Sequence, residues 1–201
     1  MKLLDKIEDF KEEKLLVHRI FRKNVELPEN VFNENFISFR AFELDRFYDD
    51  IFYNGFTEFL RKISEPEFSF YTVSPSPDVY FFKNFCKFSV FKVPIDCSFY
   101  DFMDFLEEDP GDSPADALRY NSETFTLYSN SSSWGIIGSK NWETGIIGFS
   151  NLHVQAIFLN SFADPSLFQV VSERIKNLDE MLSFNDEVRE AYLTLVESYS
   201  I

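Results

Sequence analysis

A chain of 201 residues that is 45% apolar, with 26 phenylalanines, has the length and apolar content of one packed domain and too much aromatic surface to remain disordered. Its 34 acidic and 19 basic residues give a formal charge of −15, a field that repels nucleic-acid phosphates and anionic lipid and attracts cations. The expected partner is therefore a cationic protein, with no nucleic acid and no membrane, and the two cysteines, Cys86 and Cys97, are too few for a disulfide framework.

Residues 1–10 carry charges throughout, so they do not read as a signal peptide, and no apolar run approaches the ~20 residues that span a bilayer. The expected compartment is the cytoplasm. Residues 2–22 read as an amphipathic helix with Leu3, Leu4, Ile7 and Phe10 on one face. A second helix follows from Leu44 to Ile63, where Phe47, Ile51, Phe52, Phe56, Phe59 and Leu60 recur at helical spacing and Pro66 marks the stop. The period then changes. Phe68–Val73 and Lys87–Val93 are β-branched and aromatic and read as strands, with 78–85 ambiguous between them.

Residues 98–108 return to helix. Ser98 and Asp101 make a capping pattern, Phe99, Phe102, Phe105 and Leu106 face inward, and Asp101, Asp104, Glu107 and Glu108 face outward. Ser113-Pro114-Ala115-Asp116 starts a further helical turn. Thr124–Ser129, Ser133–Gly138, Thr144–Phe149 and Leu152–Phe158 are separated by short polar loops and predict an antiparallel meander near 124–158. Two helices close the chain, one capped by Asp164 and running through Leu182, the other following Asn185. The expected fold is a single α+β domain over 1–201: a central antiparallel sheet, amphipathic helices at both ends and an inserted acidic helix.

No catalytic or metal-binding signature appears, and no cofactor is expected. His18 and His153 are the only histidines, and neither C-x-x-C nor H-x-x-x-H occurs. His153 is the one base available to a nucleophile, and no G-x-S-x-G elbow accompanies it. Gly135-Ile-Ile-Gly138 and Gly145-Ile-Ile-Gly148 lack the lysine and helix of a phosphate loop. They read as adjacent strands where small residues allow bends, bulges or close approach by another group.

The most suggestive feature is the segment from Val93 to Leu118. It holds no Lys or Arg and eight carboxylates in 26 residues, among them Asp96, Asp101, Asp104, Glu107, Glu108, Asp109, Asp112 and Asp116. A solvated helix face accounts for such a run, and so does a site for a cationic partner, which would relieve the mutual repulsion and gain association rate. Trp134, Trp142 and Glu143 complete the candidate partner-binding residues. A tryptophan is by default core, and when exposed it marks a contact surface.

The stretch Trp134-Gly-Ile-Ile-Gly-Ser-Lys-Asn-Trp-Glu143, followed by Thr-Gly-Ile-Ile-Gly148, resembles a segment of small bacterial immunity-type proteins: a Trp-initiated strand, a polar turn with a basic residue, an aromatic, an acid and a second strand. Lys140 stands where Arg is commoner. The resemblance covers about 15 residues. It implies an acidic, cytoplasmic, non-enzymatic protein that neutralises a toxin. Two alternatives stand beside this reading: a small-molecule-binding domain or hydrolase with an aromatic-lined pocket and Glu143 or His153 as polar groups, and a structural subunit that buries excess Phe at an oligomer interface.

Overall fold

The computed structural model describes residues 1–111 and 113–200, with only the backbone of Pro114; Asp112, one of the expected site residues, lies outside them. The fold is α+β, 45% helical and 21% strand. Its six strands are β1 (Ser38–Glu43), β2 (Glu67–Ser74), β3 (Val90–Pro94), β4 (Thr124–Tyr128), β5 (Trp134–Ser139) and β6 (Thr144–Phe149). They form one sheet in the order β1-β6-β5-β4-β2-β3, every neighbouring pair antiparallel.

Helices cover both faces, which is why β5 and β6 are buried at every residue and read as continuous apolar runs rather than as alternation. On the first face, Phe70, Phe91, Phe125, Trp134 and Ile136 pack under α2 (Asp50–Lys62), α4 (Phe99–Glu107) and α6 (Leu152–Leu159). On the second, Phe39, Tyr71, Tyr128, Ile137 and Ile146 pack under α1 (Ile7–Ile20), α7 (Val171–Leu182) and α8 (Asp186–Ser198). Short helices α3 (Tyr80–Phe85) and α5 (Leu118–Asn121) flank the α4 end. Most of the phenylalanines belong to one of these two cores.

The glycines of β5 and β6 make that aromatic density possible. The register pairs Gly135 with Gly148 and Gly138 with Gly145. None of the chain's glycines has a positive φ, so here it is the missing side chain that matters, not backbone freedom. On the second face Ile20 and Phe21 lie over Gly135, and Phe32 and Phe36 over Gly148. On the first face Phe125 and Leu44 lie over Gly138, and Phe42 over Gly145.

Several elements differ from the sequence reading. Leu152–Phe158, expected as the fourth meander strand, is helix α6. The run is apolar on nearly every side, so both periods fit it; Asn151 decides, because its Oδ1 accepts the Val154 N–H at 2.9 Å and caps a helix. The first helix begins at Ile7, and Ile7 itself is exposed; its buried positions are Phe10, Glu13, Val17 and Ile20. Leu44–Tyr48 is a 3₁₀ turn that precedes α2.

Residues 2–5 are extended instead. Leu4 donates its N–H to Val90 O at 3.0 Å and accepts from Phe88 N at 2.7 Å, along the outer edge of β3. At the opposite edge of the sheet, Ala41 and Gln169 exchange N–H···O bonds of 2.8 and 2.9 Å.

Candidate functional site

The acidic run maps onto α4. Ser98 caps it: Oγ accepts the Asp101 N–H at 3.1 Å and donates its proton to Asp101 Oδ2 at 2.6 Å. Phe102, Met103 and Leu106 are buried against the first-face core. The helical period then turns Asp101, Asp104, Glu107 and Glu108 outward, and all four are exposed.

These carboxylates rim an open hollow of about 760 Å³. Its apolar side is supplied by Phe105 and by Pro94 at the end of β3. Asp96 adds a further carboxylate and Cys97 its thiol. Burial raises the Cys97 thiol pKa, the charges of Asp101 and Asp96 add to that, and a hydrogen bond with Tyr53 opposes it. A thiol so placed stays protonated and is a poor nucleophile.

The acids are not equivalent. Glu107 is paired with Arg119, which reaches back from α5 and also covers the Tyr48 and Tyr120 rings at 5.2 and 5.9 Å. Asp109 is half-buried and accepts the Gly111 N–H at 2.8 Å, and Asp116 accepts the Tyr80 hydroxyl. Both shape the loop after α4. Asp104 and Glu108 enter no ion pair among the described residues. Beside them, Tyr100 is 76% exposed, a large amphipathic side chain that the inward-facing pattern of the helix did not single out.

Trp134 is not part of this surface. It is fully buried, with its ring edge-on to Phe56 and Phe59 at 5.2 and 5.9 Å, so it offers a partner nothing to touch. Trp142 lies in the β5–β6 turn and packs with the second-face core, away from α4. It meets Tyr192 edge-on at 4.9 Å, and its carbonyl accepts the Tyr192 hydroxyl at 3.1 Å.

The same turn is held from other sides. Lys140 Nζ donates to the Arg119 and Tyr120 carbonyls at 2.7 and 2.9 Å, and burial lowers its pKa. The basic residue of the turn is therefore spent on α5, not on a carboxylate fork. Glu143 is exposed and has φ +46°, a left-handed conformation unusual for a residue with a side chain. Its carbonyl accepts from Leu44 N at 3.3 Å and from Arg174 at 3.0 Å. With Glu43 and Asp45 it borders a hollow of about 260 Å³ around the buried Arg174, whose pKa burial lowers.

His153, read as a strand residue and as a polar group of an alternative pocket, is exposed on α6 and lines none of the hollows described. The acidic α4 face and the Trp142–Glu143 turn are thus separate, and one link between them runs through Lys140, α5 and the Arg119–Glu107 pair. No helix is long and apolar enough to cross a membrane among the described residues. Comparison with known proteins gave no match to any family model, any curated protein or any solved structure.

Proposed function

We propose that the chain is a non-enzymatic binding protein that captures a cationic protein on the α4 face, in the manner of the immunity-type proteins its β5–β6 segment resembles. The observation that carries this reading is the arrangement of Asp101, Asp104 and Glu108 around an open, partly apolar hollow, with Tyr100 standing 76% exposed beside them. The carboxylates steer the encounter, and Tyr100 and Phe105 supply the apolar contact that slows dissociation. On binding, a cationic side chain of the partner competes with Arg119 for Glu107. A net charge of −15 extends the steering field beyond the α4 face.

The test has two stages. The tagged protein is used to capture partners from its native cells at low salt, with elution at high salt. Association is then followed by stopped flow for the wild type, for Asp101→Lys/Asp104→Lys/Glu108→Lys and for Tyr100→Ala. Charge reversal should slow association roughly tenfold or more and flatten its dependence on salt. Tyr100→Ala should act mainly on dissociation. Unchanged association in the reversed variant removes the α4 face as the site.

A further inference from the structure

We propose that a second, basic cleft on the other face of the sheet binds a small organic anion, a carboxylate or phosphate ester attached to an apolar body. Two hollows of about 250 and 210 Å³ share Val25, Glu26, Val73 and Ile137 and so adjoin as a two-part cleft. It lies beside α1 on the second face, against β2, β4 and β5. Val17 on the helix, with Val73 and Ile137 on the strands, gives it an apolar lining, to which Tyr71 and Thr126 also contribute. Trp142 closes the far end.

The charge is opposite to that of the molecule as a whole. Between Glu13 and Glu26 the sequence has no carboxylate and carries Lys14, Arg19, Arg22 and Lys23. Three of these cations, Lys14, Arg22 and Lys23, line the cleft. The carboxylates nearby are Glu26, also in the lining, and Asp78, whose 3.6 Å pair with Lys14 is solvent-accessible on both sides and open to exchange. Arg22 uses one nitrogen on the Asn30 carbonyl at 2.8 Å, which leaves the rest of its guanidinium for an anion.

His18 sits among these cations in the lining. Both its ring nitrogens are shut off from solvent and make no hydrogen bond of good geometry among the described residues. Burial lowers its pKa, Lys14 and Lys23 lower it further, and the Phe21 backbone acts the other way. An acidic ligand head would offset the positive charge that crowds the imidazole.

The wall opposite the sheet is formed in advance. The excursion from Arg22 to Asn30 is closed by Arg22 N to Val31 O at 2.7 Å and Asn33 N to Ile20 O at 2.9 Å. Tyr199 pins it from α8: its hydroxyl accepts from Val31 N at 3.1 Å and donates to Glu29 O at 3.2 Å. A wall held this way loses little freedom when a ligand enters.

The test uses octanoate, octanol and inorganic phosphate as probes of the full chain, followed by NMR. Octanoate should give saturable shifts at His18, Val73 and Ile137 and raise the pH at which His18 titrates. Octanol should bind roughly tenfold more weakly, and phosphate, lacking an apolar body, should not saturate. Lys14→Gln/Lys23→Gln and, separately, Arg22→Gln should each weaken octanoate roughly three- to tenfold while leaving octanol unchanged, their spectra showing that they fold. Octanol or phosphate binding as tightly as octanoate, octanoate binding untouched by loss of the cations, or shifts that map elsewhere would each overturn the assignment. None of these outcomes depends on the α4 face.

Discussion

Tyr128 donates its hydroxyl proton to Glu13 Oε2 at 2.7 Å in a place from which water is excluded, the tyrosine fully buried and the glutamate 4% exposed. Ser69 donates to the same oxygen at 2.9 Å, and Lys92 bridges Glu13 Oε1 and Glu67 at 3.2 and 3.1 Å. Burial and the Glu13 charge push the Tyr128 phenol well above its ordinary pKa, so it remains a donor. The cluster ties α1 to β2, β3 and β4. Glu13→Ala removes the carboxylate acceptor of two buried donors, leaving Tyr128 only the long 3.4 Å contact to the residue 13 carbonyl, and should cost about 3–5 kcal/mol in urea unfolding. Tyr128→Phe removes one donor and should cost about 1–3 kcal/mol. The reverse order of the two effects would show that the carboxylate is not the centre of the network.

The glycine seats make a separate prediction. A Cβ at Gly148 would stand 2.8 Å from Phe32 Cε1, and one at Gly138 would stand 2.5 Å from Phe125 Cζ, inside any normal carbon contact. Gly148→Ala and Gly138→Ala should each cost about 1–3 kcal/mol through forced movement of these rings. Pairing Gly148→Ala with Phe32→Leu should recover part of the loss, giving a non-additive double-mutant cycle. Additive losses would mean that the clash is relieved elsewhere.

At the α7–α8 junction, Arg189 grips Asp179 with two bonds, Nε to Oδ2 at 2.8 Å and a terminal nitrogen to Oδ1 at 3.1 Å. Asp179 also accepts the Phe184 N–H at 3.0 Å. The Arg189 hydrogen bond, first among the causes, holds the Asp179 pKa below its ordinary 3.8. A carboxyl depressed in the folded state adds stability that is present above the unfolded value and is lost as pH falls through the folded one. Melting temperatures taken down through pH 3.8 should fall less steeply in Asp179→Asn than in the wild type. Parallel curves would place the acid sensitivity in other groups.

Local signals in the sequence foretold the elements they govern. Ser98 with Asp101, Asn185 before α8, and the aromatic stripe of α2 each act within a turn or two of the chain, so they could be read directly. Leu152–Phe158 reads as a strand from sequence because its apolar residues satisfy both periods, and the deciding cap, Asn151, is a single side chain. β1 has no such local mark: Arg40 interrupts its apolar pattern, and it becomes a strand by pairing with β6 about a hundred residues later. The carboxylates of α4 were legible because charge seeks solvent. The hollow they rim was not, since Pro94, Cys97 and Phe105 meet only after β3 and α4 have packed. The basic cleft was hidden for the same reason: α1 and residues 21–26 meet Tyr71 and Val73 of β2, Thr126 of β4 and Ile137 of β5 only in the folded chain.

The two single-residue bridges at the sheet's margins set the terms of recognition. Leu4 occupies the outer side of β3, a strand that also carries Lys92 and ends at Pro94, which has no N–H to give. Gln169 occupies the middle of β1. A foreign strand therefore meets one occupied position at each margin, beside Phe88 and Val90 at the start of β3 and at Ala41 of β1, which hinders extension of the backbone ladder there. Where the ladder is obstructed in this way, recognition falls to side chains, which can be exchanged one residue at a time without touching the sheet.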